Sequence, residues 1–213
     1  MNHPLQCRCG TLKGHVSHTQ SVSRGVCYCQ DCQAFAHFLG KPADVLDEMG
    51  GTDVIATLQQ NLTFTQGVEA LACMSLTERG MLRWYARCCN TPIGNTPRDF
   101  KVSHVGVVHT CLHDAAAGLP GGPSSLDGPF GPVRMRVNIK SAKGRPKAMP
   151  LSMIASVLRF LASLARARLD GSYRRTPFFD PTRGTPIVAP KVLGHSERQR
   201  VMDAVAAFRA SPL

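Results

Sequence analysis

In the first half of the chain, hydrophobic residues fall in short runs between turn formers, which predicts strands at hairpin-like intervals. Residues 54–58, 62–64, 70–76, 81–85 and 103–111 are such runs. Two helical stretches interrupt them. One covers residues 33–39, with Asp31 placed to cap it and Gly40 just past its end; the other covers 44–49 and is closed by Gly50 and Gly51. Downstream the period lengthens. Leu151, Ile154, Leu158, Leu161 and Ala165 share one stripe, while Ser152, Ser156, Arg159, Ser163 and Arg166 share the opposite one. That pattern predicts an amphipathic helix whose leucine side faces the protein. Pro150 suits its first turn and Gly171 its end. A second helix is predicted from Ser196, whose hydroxyl and Gln199 form a capping box, with Val201, Val205 and Phe208 turned toward its support.

Between the two patterns lies a run, residues 118–132, in which nine of fifteen residues are Gly or Pro. Such a run is expected to hold neither a helix nor a central strand. The chain therefore divides into residues 1–116, a loop at 117–133, and an extension at 134–213. The fold class expected is mainly β, built of small antiparallel sheets, with a partly helical C-terminal extension. Charge follows the same division. Residues 1–127 carry 9 Lys or Arg against 10 Asp or Glu, whereas residues 128–213 carry 16 against 4. The whole chain has a formal net charge of +11, so the excess lies in its second part.

A hydrophobic content of 43% excludes wholesale disorder. No stretch reaches the roughly 18 uninterrupted apolar residues of a membrane-spanning helix, and residues 1–10 lack the basic start and apolar middle of a secretory signal. These features predict a cytoplasmic protein with reduced thiols. Nine cysteines in such a compartment point to metal rather than to disulfides. Their spacing strengthens the inference: Cys7 and Cys9 form a C-x-C pair, Cys27, Cys29 and Cys32 a C-x-C-x-x-C triplet, and Cys88 and Cys89 are adjacent, while Cys73 and Cys111 stand alone. Zinc favours thiolate ligands in roughly tetrahedral sets. Two pairs together make a closed site; a triplet leaves a coordination position free for a ligand.

The order Cys7-Arg8-Cys9-Gly10, Cys27-Tyr28-Cys29-Gln30-Asp31-Cys32, then Arg83-Trp84-Tyr85 leading to Cys89-Asn90-Thr91-Pro92 resembles the glutathione-dependent formaldehyde-activating enzyme and centromere protein V family over about residues 5–110. The resemblance implies a β-tent of small antiparallel sheets and two zinc ions. One would be structural, on Cys7, Cys9, Cys89 and a second late cysteine; the other would be open, on Cys27, Cys29 and Cys32. The family's second late cysteine falls at Ala86, so Cys88 takes its place in preference to Cys73. After the triplet, Gln33-Ala34-Phe35-Ala36-His37 departs from the family's usual basic residue and small pair.

The activity implied is addition of the glutathione thiol to formaldehyde, a carbon–sulfur lyase reaction in reverse. Cys27, Cys29 and Cys32 would form its centre and His37 would be the nearby acid or base. Arg83, Arg87 or the basic tail would supply a cation for the anionic glutathione. The alternative is a non-enzymatic zinc module that contacts nucleic acid or a protein partner through its basic half. A third reading makes the extension structural: the long helix would pack on the β domain or form a homodimer seam, and a basic amphipathic helix can also lie on an anionic membrane surface. His109, Cys111 and His113 alternate, so a strand would put all three on one face as a candidate third metal site. Asn90-Thr91-Pro92 and Gly94-Asn95-Thr96 read as turn formers with no chemistry.

Overall fold

The computed structural model describes residues 2–112 and 126–212. In chain order its elements are β1 (His3–Gln6), β2 (Lys13–Val16), β3 (Ser23–Cys27), α1 (Gln30–Phe38), α2 (Pro42–Val45), β4 (Thr52–Leu58), β5 (Leu62–Gln66), β6 (Leu71–Ser75), β7 (Leu82–Ala86), β8 (Thr91–Thr96) and β9 (His104–Val108). There follow α3 (Asp127–Phe130), β10 (Met135–Val137), α4 (Pro150–Leu169), β11 (Lys191–Val192) and α5 (His195–Ala210). The protein is thus mostly β, with a partly helical C-terminal part. A three-stranded sheet runs β1-β2-β5, and an eight-stranded sheet runs β10-β3-β4-β9-β8-β7-β6-β11. Inside the larger sheet the pairings are antiparallel; β10 on β3 and β11 on β6, at its two edges, are parallel.

The core between the sheets holds Leu5, Leu12, Val16, Ile55, Leu71, Leu82, Trp84, Ile93, Val105 and Val107. Phe178 and Phe179 join it from the C-terminal part, the Phe178 ring centroid 4.8 Å from that of Trp84. A second cluster forms where α5 meets α1: Phe35, Leu39, Met74, Leu193 and Val205. Arg24, buried on β3, donates to both carboxylate oxygens of Asp53 on β4, at 2.7 Å from the nearer, and to Asp127 of α3. That pairing ties the segment after residue 125 to the sheet, since a buried guanidinium is stable only against its carboxylates.

Several local expectations change. The helix predicted at 33–39 starts earlier, at Gln30, and its cap is Cys29, whose sulfur accepts from the Cys32 amide, rather than Asp31. The turn predicted at 44–49 is the shorter α2. Within the Gly/Pro run, Asp127–Phe130 makes one helical turn that ends at Gly131, with a positive φ of 73°. Of the residues read as turn formers around Ile93, Asn90 does turn, but Thr91–Thr96 is β8, wholly buried in the middle of the larger sheet. Helix α5 begins after Gly194 with no side-chain cap, and Gln199 instead hydrogen bonds Asp203. Helix α4 has the predicted length but the opposite orientation: Ser156 and Ala167 are buried, while Leu151, Ile154, Leu158 and Leu161 are exposed. No helix among the described residues is long and apolar enough to cross a membrane.

Candidate metal centres

Two turns build the first cluster. After β1 the chain reverses through Gly10, at φ 77°, where the Gly10 amide donates to the Cys7 carbonyl. Between β7 and β8 it reverses through Asn90, left-handed at φ 54°, after the Cys89 amide has bonded the Ala86 carbonyl. The sharp turn swings both adjacent sulfurs to one side, leaving Cys88 and Cys89 3.8 Å apart. Cys7 lies 3.6 Å from Cys9 and 3.8 Å from Cys88, and Cys9 lies 3.3 Å from Cys88. All four sulfurs fall within 4.8 Å of one another. Cys73 is buried on β6 and does not belong to this set. The Thr11 hydroxyl holds the Cys9 thiol down to about 6, whereas partial burial and then the Cys9 sulfur push Cys88 up to about 12. Burial also raises Cys7.

The second cluster sits where β3 gives way to α1. Cys27 ends the strand, Cys29 caps the helix and Cys32 lies in its first turn, so the strand-to-helix corner gathers three sulfurs within 4.8 Å. Negative charge settles on one of them. Hydrogen bonds from Cys27 and Cys29 hold the Cys32 thiol well below its usual range against the effect of burial, with help from the Arg83 guanidinium. Cys29 is raised, first by its bonds to Cys27 and Cys32. Cys27 stands near 11: its bond from Cys29 lowers it, but Cys32 and burial outweigh that. Three crowded sulfurs cannot all ionise unless a cation joins them. Arg83 is itself buried on β7; it reaches Cys32 at 3.8 Å, donates to Asn95 Oδ1 at 3.1 Å, and stands 3.7 Å from Asp31.

This triplet opens on a cavity of about 400 Å³. Gln30, Asp31, Arg83, Asn95, His104 and Asn138 supply its polar groups beside the three cysteines; Val54, Met135, Val157 and Phe160 are among its apolar ones. Asn138, left-handed after β10, donates to the Cys27 sulfur at 3.5 Å. His104 opens β9. Its ring meets Phe160 of α4 edge-on at 5.0 Å, and its buried Nδ1 has no hydrogen-bond partner. Burial pushes the imidazole down to about 4, so it is neutral near pH 7. The cavity therefore joins the sulfurs, the Arg83–Asp31 pair and a few amide groups to a lining that is otherwise largely hydrocarbon, with one neutral imidazole.

The other predicted residues lie elsewhere. His37 is outside the cavity lining and packs against Phe208 of α5 at 6.0 Å. Arg87 donates to the Leu71 carbonyl. The strand carrying His109 and Cys111 stops at Val108, and both residues fall in a 3-10 turn. Cys111 turns into the core and bonds the Val108 carbonyl, so the alternation that would align them is absent. His113 lies outside the described residues. Among those residues only the two cysteine sets bring three or more metal-ligating side chains together. Sequence reasoning missed His104, Asn95 and Asn138, which come from three separate elements and share no motif.

Residues 1–189 match the model of a family described as one of unknown function, DUF6151. A Rhodobacter sphaeroides protein of known crystal structure is 18% identical at a TM-score of 0.39, with 58% of this chain and 94% of that chain covered. No curated protein matches.

Proposed function

This chain belongs to DUF6151, a family of unknown function, and for it we propose a zinc protein that handles a thiol or thiol adduct at its three-cysteine centre. The observation that carries the reading is the triplet itself: three sulfurs within 4.8 Å of one another, facing a largely apolar cavity of about 400 Å³. The four-cysteine set supports a structural zinc. Four sulfurs each about 2.3 Å from one ion, at tetrahedral angles, stand about 3.8 Å apart; four of the six spacings run from 3.3 to 3.8 Å and all lie within 4.8 Å. The two centres, and their place in the order of the chain, support a likeness to the β-tent formaldehyde-activating enzymes. Nine free cysteines support residence in a reducing compartment.

Cys27, Cys29 and Cys32 would hold the second zinc. When bound, it supplies positive charge that favours the thiolate form of an entering thiol. The chain's own groups then divide the work. Arg83 stabilises the charge on Cys32, and Asn95 and Asp31 hold that guanidinium in place. Val157 and Phe160 of α4 give the cavity apolar lining. In the addition of a thiol to an aldehyde a carbon–sulfur bond forms, the carbonyl π bond breaks, and the thiol's proton ends on the new hydroxyl. His104, neutral and lining the same cavity, is the candidate to pass that proton, whereas His37 does not line the cavity. Glutathione carries two carboxylates, and Arg83, the cavity's cation, is already engaged with Asp31 and Cys32. The lining therefore favours a compact apolar thiol over glutathione.

Elemental analysis of protein purified without chelator should find two zinc ions per chain, one for each cysteine set, and one ion in Cys29→Ser. Calorimetry on the two proteins should show a small apolar thiol binding the first and not the second, with glutathione as the parallel arm. Zinc-free protein, or equal thiol affinity in Cys29→Ser, would overturn the reading.

A further inference from the structure

Helix α4 lies on the protein with its leucines outward. Toward the protein it turns Ser156 and Ala167, both buried, with Ser152, Phe160 and Ser163 half-buried beside them. Toward water it turns Leu151, Ile154, Leu158, Leu161 and Leu169, between 54 and 88% exposed. At helical spacing these five, with Ala155, Ala162 and Ala165, form one continuous apolar stripe along the 20 residues of the helix. Soluble surfaces tolerate scattered leucines but rarely a stripe of this length, which signals a contact yet to be made.

The charges around the stripe select what covers it. Arg159 and Arg166 border it on one side and Arg168 on the other, all exposed, and the helix has no acidic residue. Lys140, Arg145 and Lys147, also exposed, stand just before it. A second copy of the chain is a poor cover. Laid parallel, two such helices put arginine beside arginine. Laid antiparallel, Arg166 and Arg168 meet the positive end of the partner's helix dipole, with no carboxylate on either helix to receive them. Residues 113–125 contain one large apolar side chain, Leu119, too few to cover five. Nucleic acid would take the arginines and leave the leucines wet. An anionic lipid surface takes both: acyl chains receive the stripe, and headgroup phosphates meet the arginines on its flanks.

We propose that the outward face of α4 docks this protein on an anionic lipid surface, the helix lying in the plane of the interface. At 20 residues, with three arginines, α4 rests on the bilayer rather than crossing it.

The test is flotation of the full-length protein with vesicles of phosphatidylcholine alone and of equal parts phosphatidylcholine and phosphatidylglycerol. Binding is expected on the mixed vesicles only, and is weakened by salt. In L158E/L161E it should disappear. In R159Q/R166Q/R168Q it should fall by roughly tenfold or more, since each cation near the surface contributes separately. Leu158, Leu161, Arg159 and Arg166 point into solvent, while Arg168 lies over the Tyr173 ring at 5.9 Å. A wild-type melting temperature is therefore expected of L158E/L161E, and R159Q/R166Q serves as the arginine control should R168Q alone lower it. No flotation of the wild type, or equal flotation of wild type and L158E/L161E, would overturn the proposal. So would a dimer in light scattering that L158E/L161E dissolves while vesicles stay unbound, because the face would then belong to a second copy.

Discussion

His104 shows how one buried side chain can carry a measurable property that no motif marks. Its ring sits between strand β9 and Phe160, and burial holds its folded-state pKa near 4 against 6.5 for the ordinary group. As pH falls, the unfolded chain therefore takes up the proton first. The contribution is fully present above 6.5 and is lost progressively toward 4. The loss amounts to up to about 3 kcal/mol, from the conversion of pKa difference to free energy. His37 and His109, also lowered by burial, act in the same direction, so the wild type is expected to be acid-labile. His104→Gln removes one share of this. Urea denaturation of the two proteins between neutral pH and mild acid should give a shallower decline for the variant, and parallel curves would refute the assignment. The clustered thiols, by contrast, are legible from sequence because their signal is local. Cys27, Cys29 and Cys32 occupy one corner of backbone, and Asn90 supplies the left-handed turn that Cys88 and Cys89 need. His104, Asn95 and Asn138 reach the cavity from β9, β8 and the end of β10, so only the fold brings them together.

At the scale of elements, five of the eleven strands (β4, β5, β6, β7 and β9) and both long helices can be read from the hydrophobic pattern; what escapes is the short or polar strands, orientation and polar burial. Strand β8 reads as a turn because Thr91, Pro92, Gly94, Asn95 and Thr96 are turn residues. It is nonetheless buried, because its polar groups find partners inside the sheet: Thr96 accepts from the Trp84 indole at 2.9 Å and Asn95 from Arg83. Gly94 lets β8 and β9 approach closely, since a Cβ there would stand 3.0 Å from the Gly106 carbonyl. Helix α4 inverts because the surface beneath it accepts serine hydroxyls, with Ser152 donating to the Arg134 carbonyl at 2.6 Å. Helix α5 behaves as its periodicity predicts at Val205, which packs on Phe35, Leu39 and Met74. Since α1 carries Cys32 on its first turn and Phe35 on its next, α5 braces the helix that forms the triplet. Val205→Ala removes two methyl groups from a fully packed site and should cost about 2 kcal/mol, transfer and cavity effects together. Chemical denaturation measures this directly, and a change under a few tenths of a kcal/mol would mean that α5 is not bound as described.

Across the whole molecule, the change of composition at residues 118–132 is plain in the sequence, while the service the second part renders to the first is not. Strands of two and three residues have no periodicity to detect, yet β10 and β11 finish both edges of the eight-stranded sheet. Val137 pairs in register with Cys27 and accepts from the Tyr28 amide, so the strand leading to the triplet is held from the C-terminal side. Phe178 covers Trp84, and Val157 and Phe160 wall the cavity. A chain ending at residue 133 would lose all of these at once. Both sheet edges would present unpaired amides and carbonyls, and the largest core side chain would face water. Trp84 is the single tryptophan, fully buried in the intact protein, and so reports on that surface without labelling. Intact protein should emit at short wavelength and lose this signal in one cooperative thermal transition. The shortened chain should emit as exposed indole, show no such transition, and aggregate through its bare edges. Short-wavelength emission and a sharp melt in the shortened chain would mean that the cysteine-bearing part folds alone and that the C-terminal strands merely attach to it.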